Sequence, residues 1–323
     1  MKKKKIFIAG HKGLVGNALV NQLKNENVKI ITKTKKELNL LNQLEVINFF
    51  KKEKIDQVYL AAARVGGIYA NNTFPAEFIY ENLMIQTNVI HGAFKSGIKK
   101  LLFLGSSCIY PKHAKQPISE DQLFTGKLEP TNEPYAIAKI AGIKMCESYN
   151  RQYSQSHKID FRSIMPTNLY GPRNSYHPEN SHVIAALIYR FHDAKIKKKP
   201  KVTIWGTGKP KREFLYVDDM ARASIFLMNL EKKIYNKKIS ARCSHLNVGS
   251  GEDITIKKLS NIIREIVGYR GKIVFNPNKP DGTMRKLINS QKIIKLGFRP
   301  KVKLKEGLQK TYSHYLELLN GNI

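Results

Sequence analysis

Acidic residues are scarce in this chain: 25 Asp and Glu stand against 56 Lys and Arg in 323 residues, for a formal net charge of +31. Such basicity can mark a nucleic-acid binder. Here, however, the excess is lysine spread along the chain, with local clusters only at Lys2 to Lys5, Lys195 to Lys201 and Lys232 to Lys238. It reads as a solvated surface that helps collect anionic ligands, so nucleic acid is not an expected partner. Cysteine is also scarce. Cys108, Cys146 and Cys243 have neither disulfide nor metal-ligand spacing, which points to a reducing cytoplasm and to no metal site. Long apolar runs are missing, so no membrane span is expected. Met1-Lys-Lys-Lys-Lys before an apolar segment looks like the start of a secretory signal, but Gly10, His11 and Lys12 interrupt that segment directly after Ala9. Repeats and low-complexity tracts are absent. What remains is a globular composition, 42% hydrophobic, long enough for two lobes.

The first apolar run, Ile6 to Ala9, passes directly into Gly10-His-Lys-Gly13-Leu14-Val15-Gly16 and then an amphipathic segment to Leu23. A strand thus turns at once into a helix. Glycines at such a turn permit a tight path, leave room for a pyrophosphate against backbone amides and let the helix pack close to the sheet. The spacing is Gly-x-x-Gly-x-x-Gly rather than Gly-x-Gly-x-x-Gly, so an ordinary strand-to-helix turn is the competing reading. His11 reads as turn structure.

Tyr135-Ala-Ile-Ala-Lys139 lies in a helical stretch running to Tyr153. Residues four apart share a helix face, so the Lys139 ammonium can approach the Tyr135 phenol and a cofactor ribose. A nearby cation favours phenolate and is expected to pull a tyrosine pKa down from about 10. The plain alternative makes Tyr135 a packing residue and Lys139 a solvated lysine. Ser106 and Ser107, just past the apolar run Leu101 to Leu104, favour the chemical reading, because hydroxyls at the carboxyl end of a parallel strand lie where such sheets bind ligands.

Strand-like runs at Ile6 to Ala9, Val28 to Thr32, Gln57 to Ala61, Leu101 to Leu104 and Phe161 to Met165 alternate with helical patterns. This predicts an α/β fold, a doubly wound parallel (Rossmann) sheet over residues 1–170. Beyond Gly171-Pro172 the pattern is mixed: a helix near Val183 to Ala194, a strand at Val202 to Trp205 and strand candidates around Leu246 and Val274. Residues 171–323 are expected to form a smaller mixed α/β substrate lobe, partly interleaved with the first. After the second strand an acidic residue commonly holds the NAD ribose, whereas a basic one accommodates a 2′-phosphate. Here the chain reads Ile31-Thr-Lys33-Thr-Lys35-Lys36, with no carboxylate before Glu37. NADPH is therefore expected over NADH, with Lys12 and Lys35 nearest the phosphate. Asn39 could face the adenine or simply form a turn.

Phe7-Ile-Ala-Gly-His-Lys-Gly, Ala61-Ala-Ala-Arg-Val-Gly-Gly-Ile, Leu104-Gly-Ser-Ser-Cys-Ile-Tyr-Pro, Glu129-Pro-Thr-Asn-Glu-Pro-Tyr-Ala-Ile-Ala-Lys and Met165-Pro-Thr-Asn-Leu-Tyr-Gly-Pro resemble the GDP-L-fucose synthase family of extended short-chain dehydrogenase/reductases. The resemblance continues through Asn180-Ser-His-Val, Ile204-Trp-Gly-Thr-Gly, Arg212-Glu-Phe-Leu-Tyr-Val-Asp-Asp-Met and Lys279-Pro-Asp-Gly-Thr-Met-Arg-Lys, nearly the whole chain. That family pattern has arginines where this chain has Lys12 and Lys35, which keeps charge and loses the planar fork.

The resemblance implies 3,5-epimerisation and then 4-reduction of GDP-4-keto-6-deoxy-D-mannose. It assigns Cys108 and His182 as base and acid for epimerisation; without it, they read as a buried strand-end cysteine and a surface or capping histidine. Tyr135 becomes the acid of the reduction, Ser106 a donor to the ketone oxygen, and Lys139 the residue that tunes Tyr135 and holds the ribose. Cofactor contacts fall on Gly10, Lys12, Gly13, Leu14, Val15, Gly16, Lys35, Tyr135, Lys139 and His182. Arg190, Arg212 and Lys286 are candidates for the GDP diphosphate, and Asn168 and Trp205 for the sugar and nucleotide pocket. The helix Pro75 to Lys95 and the Tyr135 helix imply a homodimer, against plain internal packing. Competing readings are another nucleotide-sugar epimerase/reductase, such as one making GDP-colitose or a simple 4-epimerase, and a non-catalytic NADPH-sensing protein.

Overall fold

The structure, a computed structural model, describes residues 3–176, 181–279 and 281–321. Met1 and Lys2 of the opening lysine run, and Asn180 and Pro280 of the quoted motifs, lie outside the described residues. In chain order the first half runs β1 (Lys4–Ala9), α1 (Leu14–Leu23), β2 (Val28–Ile31), α2 (Gln43–Glu53), β3 (Gln57–Leu60), α3 (Ile68–Thr73), α4 (Pro75–Lys95), β4 (Lys100–Leu104), α5 (Glu133–Tyr153), β5 (Asp160–Pro166) and β6 (Asn168–Tyr170). The second half runs α6 (Val183–Ile196), β7 (Lys201–Trp205), β8 (Lys211–Tyr216), α7 (Val217–Asn229), α8 (Lys232–Asn236), β9 (His245–Val248), β10 (Asp253–Thr255), α9 (Ile256–Val267), β11 (Lys272–Asn276), β12 (Arg285–Lys286), α10 (Gln291–Lys295) and α11 (Leu304–Leu319).

The central strands read as continuous apolar runs because both faces of their sheet are covered. Alternation sends Phe7, Val58, Leu101, Phe103 and Phe161 into a core against α2, α4 and α5, while Ile6, Ile8, Tyr59, Leu102 and Leu104 enter a second core against α1 and α7. The sheet is six-stranded and parallel, ordered β2-β1-β3-β4-β5-β9. Strand order reverses between β1 and β3, so their carboxyl ends open a crevice where such sheets bind ligands. The strand expected around Leu246 is β9; it completes this sheet beside β5 instead of lying in the smaller lobe. Early and late parts of the chain therefore share one sheet.

The smaller lobe is built on β8, which pairs in parallel with β6 and β12 and antiparallel with β10. A two-stranded parallel ribbon, β7 with β11, lies apart from it. Tyr170, Ile188, Phe191, Phe214, Tyr216, Leu259 and Ile263 form its core. No helix among the described residues is long and apolar enough to cross a membrane. All three cysteines are free. The described residues contain no group of three or more His, Cys, Asp or Glu placed to hold a metal ion.

Candidate active site

The turn after β1 has the geometry of an anion cradle. Gly10 adopts φ +85°, and a Cβ there would lie 2.7 Å from the Ala62 amide nitrogen, so the turn after β1 and the segment after β3 approach too closely for any side chain. Gly16, in the first turn of α1, rests on the Gly10 carbonyl with no room for a Cβ. The Gly13 amide donates to Gly10 O at 3.0 Å, and Gly13 caps α1 without any side-chain acceptor. The first-turn amides at Leu14, Val15 and Gly16 thus meet no capping side chain, the arrangement that favours a phosphate. Lys12 and Lys35 are both exposed. Glu37, the first carboxylate after β2, is occupied: it accepts from the Thr34 amide at 2.8 Å and the Thr34 hydroxyl at 2.7 Å. Those bonds hold it below the usual carboxylate range. His11 is held below the usual histidine value, first by burial and then by Lys12.

The loop after β3 is held by a residue that sequence reasoning missed. Asn82 of α4 accepts from the Arg64 amide and donates to the Arg64 carbonyl, both at 3.0 Å. Arg64 itself pairs with Glu81 at 2.7 Å and with Glu77. An asparagine inside a helix carries no sequence signal for this; only the fold brings it to the loop.

At the end of β4, Ser106 caps a short helical turn, Ser107–Ile109, its hydroxyl accepting from the Cys108 amide at 3.2 Å. Across this turn lies α5. Lys139 is almost fully buried; its Nζ donates to Leu104 O at 2.8 Å and stands 4.8 Å from the Phe103 ring centre and 5.8 Å from that of Tyr135. Burial alone lowers its pKa to about 7. Tyr135 moves opposite to the sequence expectation. Its pKa is raised, first by burial and then by the neighbouring Cys108, with the Ser106 hydroxyl pulling the other way. The reason is that the same burial that disfavours phenolate also disfavours the lysine charge that was to stabilise it. Tyr135 is consequently a neutral phenol with a proton to give.

Cys108 faces both lobes. Asn132 Nδ2 donates to its Sγ at 3.3 Å, and Lys286 Nζ lies 3.9 Å from it. Lys286 on β12 is the register partner of Arg212 on β8, which sets two cations side by side. Arg212 is lowered by burial and raised by Asp281, and remains a cation. Lys286, expected at the diphosphate, therefore meets the thiol. Arg190 on α6 stands 5.7 Å from the Trp205 ring centre, and Lys279 approaches the same exposed ring at 5.3 Å. Lys279 was not singled out, although it stands in a quoted motif. Asn168 donates to Glu213 O at 2.9 Å and so helps hold β6 on β8. His182 is the residue that caps α6, without a side-chain bond to its first turn; desolvation of its ring holds it below the usual histidine value. Ser106, Cys108, Tyr135 and Lys139 thus form one group with Lys286. Arg190 and Trp205 form a second, and among the described residues no hydrogen bond joins His182 to either.

Glu213 was also missed. It is fully buried, and its carboxylate accepts from Gly251 N at 2.7 Å and Ile288 N at 3.1 Å. Burial raises its pKa against these bonds.

An anion cradle at the strand-order reversal, with a half-buried tyrosine and a buried lysine paired across the β4 turn, defines a nicotinamide-dependent short-chain reductase or epimerase. The chain belongs to the NAD dependent epimerase/dehydratase family, whose pattern matches residues 6–249. It is similar to the GDP-L-fucose synthase of Escherichia coli K12, 55% identical over 98% of each chain. It is also similar to GDP-L-fucose synthase 1 of Arabidopsis thaliana, 54% identical over 98% of this chain and 94% of that one. Among solved structures, the GDP-mannoheptose C4 reductase of Campylobacter jejuni with NADP bound superposes with a TM-score of 0.87, at 41% identity over 98% of this chain and 99% of that one.

Proposed function

We propose that this protein converts GDP-4-keto-6-deoxy-D-mannose to GDP-L-fucose by epimerising C3 and C5 and reducing C4 with NADPH. The observation that carries this reading is the meeting of Cys108 with the Tyr135 and Lys139 helix across one turn. Hydrogens beside a ketone are acidic because the carbanion delocalises onto oxygen. Cys108 removes such a proton, and His182 supplies one to the opposite face. NADPH supplies the hydride for C4. The neutral Tyr135 phenol then protonates the forming alkoxide while Ser106 donates to the same oxygen. Lys139 binds the ribose and steadies Tyr135.

Gly10, Gly13 and the first turn of α1 receive the cofactor pyrophosphate, and Lys12 and Lys35 the 2′-phosphate, a reading supported by the occupation of Glu37 by Thr34. Arg190, Arg212 and Trp205 hold the GDP-sugar, with Asn168 beside them. In this scheme residues 1–170 chiefly carry the cofactor and 171–323 the sugar nucleotide. The site of action is the cytoplasm. Two copies pair through α4 and α5, where Tyr80 and Ile137 are exposed, and sedimentation at micromolar concentration reads this out.

The deciding experiment supplies purified protein with fresh GDP-4-keto-6-deoxy-D-mannose and either NADPH or NADH. The expected result is GDP-L-fucose by NMR and a higher kcat/KM with NADPH. Reduction without inversion at C3 and C5 would remove the epimerase half of the reading. Absence of turnover despite NADPH binding would redirect it to another ketosugar or to a sensor.

A further inference from the structure

Asn132 occupies the position that caps α5, where an asparagine ordinarily accepts hydrogen bonds from the first-turn amides. It makes no such bond. Its Nδ2 donates instead to Cys108 Sγ at 3.3 Å, and its Oδ1 is buried without a partner. On the same sulfur, at 3.9 Å, stands the Lys286 ammonium. Acids of the same lobe are engaged elsewhere: Asp253 pairs with Arg285, Asp281 accepts from the Thr207 amide at 2.6 Å and hydroxyl at 2.7 Å, and Glu213 accepts from the Gly251 and Ile288 amides. A thiol is a poor acceptor and a thiolate a strong one, so both contacts strengthen when the Cys108 proton leaves. A forgone cap and an orphaned buried oxygen both cost stability, and a cost of this kind at a reactive group calls for a functional account.

On the epimerase reading above, we propose that Asn132 and Lys286 are positioning residues that hold Cys108 as a thiolate aimed at the sugar ring. The thiolate takes the proton from C3 or C5, the C–H electron pair passes into the enolate with its charge on the C4 oxygen, and His182 gives a proton to the opposite face. Cys108 then loses its proton to water and His182 regains one before the next centre reacts. Tyr135, the other titratable group facing Cys108, keeps its phenolic proton throughout and is thereby ready for the reduction. Lys286 thus acts through the sulfur.

The test is iodoacetamide labelling of the full-length protein across the neutral pH range, read by peptide mass at Cys108, with Cys243 as internal reference. Lys286→Met is expected to slow Cys108 labelling at neutral pH about tenfold. Asn132→Ala is expected to slow it about threefold to fivefold, with a melting temperature that does not fall, because no cap is lost and the unpartnered oxygen is removed. Lys286→Arg is expected to restore most of the rate. Wild-type labelling in both Lys286→Met and Asn132→Ala would overturn the proposal. Deuterium exchange at C3 and C5 of GDP-4-keto-6-deoxy-D-mannose, measured alongside, separates the two levels. Absence of exchange in wild type with the expected labelling pattern sinks the epimerase reading and leaves the thiolate assignment standing. Exchange in wild type with unaltered labelling in both variants does the reverse.

Discussion

The two lobes hold their buried charges in different ways. In the sheet lobe Lys139 is buried against Phe103 and Tyr135 with one carbonyl acceptor, and its pKa falls to about 7. In the smaller lobe the buried carboxylate of Glu213 accepts two backbone amides from segments distant in sequence, and the cations Arg212 and Lys286 are set beside each other by strand register. The first arrangement meets desolvation by lowering the lysine's pKa toward neutrality. The second uses hydrogen bonds to assemble a lobe from four short strands, none longer than six residues. Local spacing builds one site; register builds the other.

The largest effect that would sharpen this contrast is at Tyr135. Tyr135→Phe should lower reductive turnover about a thousandfold while leaving stability and NADPH binding nearly unchanged, because only the acid is removed. Exchange at C3 and C5 should persist. NADPH oxidation at the wild-type rate would remove Tyr135 from the mechanism.

Next comes Glu213→Ala, which leaves the Gly251 and Ile288 amides without their acceptor. It should cost about 3 kcal/mol of stability and raise KM for the sugar nucleotide more than it lowers NADPH affinity. Equal losses of both ligands, measured by calorimetry, would break the division between lobes.

The smallest stability change is at Lys139, and its sign follows from its depressed pKa. Below about pH 7 both folded and unfolded chains carry the proton, so the full burial penalty is present. As pH rises toward the ordinary value of 10.5, the unfolded chain keeps a proton that the folded chain has shed, and stability rises. Lys139→Met should therefore stabilise the fold by about 2 kcal/mol near neutral pH, net of the lost Leu104 bond. Its advantage should shrink in alkaline buffer, while turnover is lost. A melting temperature that falls at every pH would show that Lys139 is a structural residue after all.

Much of the sheet lobe was legible in the sequence because its determinants are local. The apolar runs at Ile6, Gln57, Leu101 and Phe161 became β1, β3, β4 and β5, since strands covered on both faces have little alternative. The Tyr135 and Lys139 spacing forecast their contact, because a helix brings every fourth residue round. What spacing could not supply was the environment: the depth of burial reversed the expected direction of the Tyr135 shift. The smaller lobe was harder to read. Lys211 to Tyr216 and Arg285 to Lys286 were seen as motifs rather than strands, and their pairing depends on neighbours distant in the chain.

By itself the sequence determined the alternation of strand and helix, the glycine turn at Gly10 to Gly16 and the pairing of Tyr135 with Lys139, all set within a few residues by backbone sterics and periodicity. Only the tertiary structure decided that β9 closes the first sheet, that Asn132 turns from its helix to Cys108, and that Lys286 meets the sulfur. Those outcomes depend on strand register and desolvation, which exist only once distant segments have excluded water together.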